Sequence, residues 1–147
     1  MPYSYSEVDK LLDQPLVGSG TCVDLIKLIV PGLVGKPTTT WTEGINVMDA
    51  YRSGKVIPRG TAIATFQRGR YLQSCATSYV GSCHHAALLL QAMPGGIWVM
   101  DQYTGAENRQ LVTRRFIRVP LPREQKFADV SYRNAGNNAL AFSVIEQ

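Results

Sequence analysis

Apolar residues recur at helical spacing up to about residue 52 and alternate with polar ones beyond it, so the chain reads as helices followed by strands. Val8, Leu11 and Leu12 share one helical face behind Ser6, a ready N-cap, which predicts a short helix over 7–13. The tight loop Gly18-Ser19-Gly20-Thr21 then leads into a second helix, with Ser19 or Thr21 as its cap. That helix puts Cys22, Ile26, Ile29 and Val30 on one side until Pro31-Gly32 stops it. A third helix is expected over 44–52, capped near Thr42, with Val47, Met48 and Tyr51 at helical spacing and Ser53-Gly54 closing it.

From Lys55 the period changes. Residues 61–66 read as a strand behind the turn Pro58-Arg59-Gly60, and 74–81 as a polar loop. Strands follow over 85–91 and 97–103, joined by 92–96, and again over 111–119 and 139–146, about five in all. Helices first and antiparallel strands afterwards predict an α+β fold with segregated layers. With no repeat, low-complexity tract or linker, residues 1–147 are read as a single domain.

An apolar content of 45% against 18% charged residues sets disorder aside. The net charge of +4 is compatible with a polyanionic partner such as a cell-wall polymer, and equally with none. Basic residues gather over 109–118, but they alternate like a strand without interleaved aromatics, so no nucleic-acid partner is expected. Residues 1–7 show neither a basic nor an apolar signal region, and the apolar run 25–34 contains Lys27, Pro31 and Gly32. The expectation is a chain made in the cytoplasm without a signal peptide, with no membrane span.

Cys22 carries the chemistry. A thiol at a helix N-terminus faces unpaired N–H groups and the positive end of the helix dipole, which favour thiolate. The glycines around Ser19 let the backbone approach a substrate, and the Cys22 N–H can receive the oxyanion of a tetrahedral intermediate. A buried cysteine packing as a small hydrophobe is the plain alternative. The base must come from His84-His85, whose side chains point to opposite strand faces, so that only one meets Cys22. His85, with small Ala86 and Ala87 behind it, is favoured, and His84 is the alternative. If 85–91 and 97–103 pair as a hairpin, an even register sum brings Asp101 to the His85 face and an odd sum brings Gln102. A carboxylate both orients and stabilises an imidazolium, so Asp101 is favoured over Gln102.

Cys75 and Cys83 are either two buried thiols, the reading favoured by the missing export signal, or a disulfide in an oxidising space. Together with His84 and His85 they offer zinc-type donors, but adjacent strand residues cannot face one tetrahedral ion and no C-x₂₋₄-C pair is present. Gly18-Ser19-Gly20 lacks the later glycine and lysine of a phosphate loop. Neither a metal nor a cofactor is expected. Ser19, Gly20, Trp41, Tyr79 and Tyr103 are candidate substrate contacts, although the aromatic ones serve equally as core.

The order of a Gly-rich loop, a Cys at a helix start, strands, a His-Ala-Ala strand and a polar residue on the next strand resembles papain-like cysteine peptidases of NlpC and CHAP type. The blocks Gly20-Thr21-Cys22-Val23, Trp41-Thr42-Glu43-Gly44, 60–66, His85-Ala86-Ala87-Leu88 and 96–102 resemble more closely the second family of type VI secretion amidase effectors. The resemblance implies a papain-like fold and a peptidoglycan amidase toxin injected into the periplasm of a rival Gram-negative cell. It implies Cys22 as nucleophile, His85 as base and acid, and Asp101 or Gln102 as the orienting group. It also implies cleavage of peptide stems, with the diaminopimelate–D-alanine cross-link favoured, and as partners the secretion apparatus and a cognate periplasmic immunity protein. The rivals are an acyltransferase or transglutaminase on the same scaffold and a non-catalytic wall-binding or interaction module.

Overall fold

The computed structural model describes residues 2–104 and 110–147, which leaves Arg109 of the basic run outside the described residues. After a 3-10 turn over Val8–Leu11 come α1 (Cys22–Ile29), β1 (Thr42–Asn46), α2 (Val47–Arg52) and β2 (Ala62–Thr65). They are followed by β3 (Ala86–Met93), β4 (Gly96–Asp101), β5 (Thr113–Arg118) and β6 (Phe142–Glu146). The six strands form one sheet in the order β1-β6-β2-β3-β4-β5, antiparallel at every pairing. The architecture is the α+β one expected, with α1 packed on an antiparallel sheet, and one strand more than the sequence predicted.

The sheet is covered on both faces. Leu25 and Ile26 of α1, fully buried, meet Ala62, Ala64, Ala86, Leu88 and Met100 on one side. Val47 and Met48 of α2 meet Ile63, Ala87, Leu89 and Val99 on the other. Complete burial of a Leu or Ile side chain contributes about 1.5–3 kcal/mol, so two such residues anchor α1 firmly to β3. The alanines at 86 and 87 leave space for helices on either side of β3.

Three elements differ from expectation. The first helix shrinks to a 3-10 turn, and Ser6 does not cap it. Residues 42–46 form β1 in place of the first turn of a helix, because β6 offers them an edge to pair with. Gly44 permits that approach, since a Cβ there would lie 2.8 Å from the Val144 carbonyl oxygen. Asn46 then caps the shortened α2, its side-chain oxygen accepting from the Asp49 N–H at 3.1 Å. Residues 139–141 form a 3-10 turn ahead of β6.

The Cys75–Cys83 pair is a disulfide, which corrects the expectation of two thiols. The 74–83 loop folds back on itself and brings the two Cα atoms to 5.6 Å, within the usual bridging range. The His84 ring nitrogen lies within 4.8 Å of both sulfurs, but sulfurs bonded to each other are not thiolate ligands. Among the described residues no helix is long and apolar enough to cross a membrane.

Candidate active site

Cys22 is the first residue of α1, its thiol half-buried at the helix N-terminus. The loop ahead of it is fixed from two directions. Thr21 caps the helix through Oγ1, and the Asp24 carboxylate accepts from the Ser19 N–H at 2.8 Å and the Ser19 hydroxyl at 2.7 Å. Gln102, fully buried just past β4, accepts from the Val17 N–H and donates to the carbonyls of Val17 and Thr21, each at 2.8 Å. Gly20 sits at φ +88°, a conformation glycine adopts without strain.

His85 stands immediately before β3, with its backbone N–H donated to Thr65 Oγ1 at 2.9 Å. Its imidazole lines the same cavity as the Cys22 thiol and lies close enough for the two groups to shift each other's ionisation. On the far side of the ring, Nε2 donates to Asp101 Oδ2 at 2.8 Å, which leaves Nδ1 as the nitrogen facing sulfur. The register explains why Asp101 rather than Gln102 arrives there. Leu88 opposes Met100 and Leu89 opposes Val99, an even sum that places Asp101 on the His85 face. A bulge next to Leu89 changes the sum, so Gln91 opposes Trp98 nearer the hairpin end.

Arg115, from the neighbouring strand β5, was not foreseen. Its Nε donates to the same Asp101 oxygen at 2.6 Å, and its two other nitrogens donate to Asn137 Oδ1 at 3.0 Å and the Gly136 carbonyl at 3.2 Å. The alternation of β5 was legible and puts Arg115 on the face of Thr113 and Ile117, with Thr113 paired to Asp101. That face was the available signal. Tyr71 was also missed, and no pattern in the sequence marks it. Its hydroxyl lies 4.0 Å from Cys22 Sγ and 3.2 Å from His84 Nδ1.

The charges reinforce one another. Burial opposes ionisation of Cys22, but the hydrogen bond and positive field of His85, joined by the Ala86 N–H and the Tyr71 hydroxyl, hold its pKa below the ordinary thiol value. Burial also disfavours a charged His85, yet its bonds to Asp101 and Cys22 raise the imidazole to about 9. Burial would raise the Asp101 pKa, and it is overcome by His85 and Arg115, which hold the carboxyl below its usual range. In their ionised forms thiolate, imidazolium, carboxylate and guanidinium alternate in sign through these residues, so each favours the charged form of its neighbour. Burial and the neighbouring thiolate push the Tyr71 phenol upward, so it keeps its proton.

Cys22, His84, His85, Tyr103, Arg115 and Asn137 line a cavity of about 350 Å³. Of the other residues singled out in the sequence, Tyr103 sits in this cavity with its ring 6.4 Å from that of His85. His84 Nδ1 hydrogen-bonds the Tyr71 hydroxyl, and burial together with its charged neighbour His85 depresses its pKa. Gln102 does not orient the histidine, because its amide is taken up by the loop. Trp41 is a buried core residue packed edge-on against Tyr71 at 5.1 Å and is not among the residues lining this cavity. Tyr79 lies away from the cavity, donating to the Tyr132 carbonyl at 2.7 Å and packing on Phe127.

A half-buried thiol and a carboxylate-backed imidazole lining one cavity are the groups that amide hydrolysis by a cysteine nucleophile requires. Comparison with known proteins finds relatives described as amidases. The family described as domesticated amidase effector 2 matches residues 3–133. A Salmonella typhi protein described as a type VI secretion amidase effector 2 protein is 37% identical over 147 residues, covering 99% of this chain and 100% of its own length. A solved structure of a type 6 secretion amidase effector 2 superposes with a TM-score of 0.80 at 35% identity, covering 99% of this chain and 95% of that one. The chain belongs to the amidase effector 2 family of type VI secretion effectors.

Proposed function

We propose that this chain is a cysteine amidase that hydrolyses peptide bonds of bacterial peptidoglycan as an antibacterial type VI effector. The observation that carries the reading is the line of contacts from Cys22 through His85 to Asp101, opening on the cavity. In the proposed reaction the Cys22 thiolate attacks the amide carbonyl carbon. The oxyanion is received by the N–H groups at the start of α1. The His85 imidazolium gives its proton to the leaving amine and the C–N bond breaks. The neutral imidazole then takes a proton from water, the resulting hydroxide attacks the thioester, and acid and thiolate are released. Acid–base help of about 10²–10⁴-fold and oxyanion stabilisation of about 10²–10³-fold are the magnitudes such groups supply.

The bond favoured for cleavage is the cross-link between diaminopimelate and D-alanine. Delivery by the secretion apparatus brings the enzyme to the periplasm of the target, an oxidising space in which the Cys75–Cys83 disulfide persists. A cognate immunity protein in that compartment blocks the cavity. The test is digestion of purified Gram-negative sacculi, with the released muropeptides identified by mass. Dimers converted to monomers with the gain of one water are the expected products. Sacculi left intact by the wild-type chain, or products carrying a new amine-bearing acceptor, would refute the hydrolase reading.

A further inference from the structure

We infer that Arg115 is a positioning residue for the reaction: its guanidinium fixes the Asp101 carboxylate that orients His85 and braces the turn that walls the cavity. The inference rests on the amidase reading above and adds to it how the charge behind the histidine is held in place.

His85 alone does not fix the Asp101 carboxylate. Oδ2 takes the His85 Nε2 hydrogen bond at 2.8 Å, while Oδ1 is buried with no partner among the described residues. A carboxylate held at one point can turn about its terminal torsion, which is broad and roughly two-fold, and the imidazole turns with it. Arg115 removes that freedom, because its Nε donates to the same oxygen at 2.6 Å and the rest of the group is anchored elsewhere. Its two terminal nitrogens donate to Asn137 Oδ1 at 3.0 Å and to the Gly136 carbonyl at 3.2 Å. One rigid plane of donors thus ties the end of β4 to the Ala135–Asn137 turn, which the single ammonium of a lysine cannot do in the same geometry.

That turn belongs to the site. Gly136 and Asn137 line the cavity together with Cys22, His85 and Arg115 itself. A Cβ at Gly136 would lie 3.2 Å from the His85 Cβ, so the turn backs directly on the histidine. The Gly136 N–H donates to the Ser82 carbonyl at 2.9 Å, and the Asn137 side-chain amide donates to Asn134 Oδ1 at 3.1 Å. Arg115 therefore holds His85 from two sides, through the carboxylate and through the turn.

The shared oxygen also gives the role an electrical signature. Two cations meet on Oδ2, and like charges disfavour each other, so Arg115 takes from the imidazolium part of what Asp101 supplies. Losing Arg115 leaves the carboxylate to His85 alone, which then keeps its proton to higher pH while losing its fixed orientation. The sign is opposite to that of losing the carboxylate.

The experiment follows the imidazole of His85 by NMR titration in the wild type, Arg115→Met and Arg115→Lys, alongside kcat and KM on a muropeptide dimer. The chain has two histidines, and the His84 pKa lies below its ordinary value while that of His85 is about 9, so the two signals separate. Arg115→Met should raise the His85 midpoint by about half a unit to one unit. It should also lower kcat by about 5- to 30-fold with KM held within about threefold, the pattern of a misplaced acid. Arg115→Lys keeps a cation at the carboxylate, so its midpoint should stay within about 0.3 unit of the wild type and its kcat should fall less. Matching melting temperatures check that both variants fold. A methionine variant whose His85 midpoint stays in place or falls, as general loosening would leave it, overturns the inference, and so does one whose kcat is within twofold of the wild type. A lysine variant whose midpoint rises as far as that of the methionine variant overturns it as well. A wild-type chain that cleaves no dimer overturns the amidase reading itself.

Discussion

Asp101→Asn isolates the charge behind the histidine. In the wild type one oxygen, Oδ2, accepts from His85 Nε2 at 2.8 Å and from Arg115 Nε at 2.6 Å. The other oxygen, Oδ1, is buried with no hydrogen-bond partner among the described residues. An asparagine can put its carbonyl oxygen at the Oδ2 position and keep both bonds, while its NH₂ takes the Oδ1 position and meets no opposing donor. A hydrogen bond to a charged group contributes about 1.5–3 kcal/mol against about 0.5–1.5 for a neutral one, so the imidazolium loses roughly 1–2 kcal/mol. That corresponds to about one pKa unit, which moves His85 from about 9 toward about 8. The thiolate–imidazolium pair exists above the lowered Cys22 pKa and below the raised His85 pKa, so activity rises through the first and falls through the second. The alkaline limb of kcat/KM on a muropeptide dimer should therefore shift down by about one unit, and the plateau value should fall about 5- to 30-fold. An alkaline limb that stays in place, with kcat/KM within twofold of wild type, would refute this account of the ion pair.

Three further outcomes follow from the same geometry. Replacing Cys75 and Cys83 by serine removes a crosslink spanning 8 positions and should lower unfolding free energy by about 2–3 kcal/mol, read by urea titration with and without reductant. Gln102→Ala strips the Val17–Thr21 loop of three hydrogen bonds, and should cost about 2–4 kcal/mol of stability together with a loss of kcat, because the loop carries Cys22. Tyr71→Phe keeps the stacking with Trp41 but removes the hydroxyl near sulfur, so the alkylation midpoint of Cys22 should rise by less than about one unit.

What could be read from the residues was local. The Cys22 helix was legible because its loop, its cap and its Pro31-Gly32 stop lie within about a dozen positions. The β3–β4 hairpin was legible for the same reason, but its register stayed open between Asp101 and Gln102, and Asp101 was favoured only because a carboxylate stabilises an imidazolium. What was missed came from distant partners. Thr42–Asn46 became a strand only because β6 returns to pair with it from the far end of the chain. Arg115 looked like part of a basic surface run, and its role as the second donor to Asp101 appears only once β5 lies beside β4. Tyr71 reaches the thiol from an irregular segment and Asn137 reaches the cavity from a three-residue 3-10 turn, neither long enough for side-chain periodicity to carry information. The disulfide escaped because the choice between thiols and a bridge depends on loop geometry and compartment rather than on spacing.

The central claim, that Cys22 is held as a thiolate by His85, is tested most directly by alkylation. The iodoacetamide rate at Cys22 should be measured across pH in the wild type and in His85→Ala. With Cys75 and Cys83 joined, Cys22 is the free thiol available to react. The account predicts rapid, stoichiometric modification of the wild type at pH 6, and a titration in His85→Ala that returns to the ordinary thiol range near ~8.5. A wild-type rate that follows the ordinary thiol curve, unchanged by His85→Ala, would contradict it.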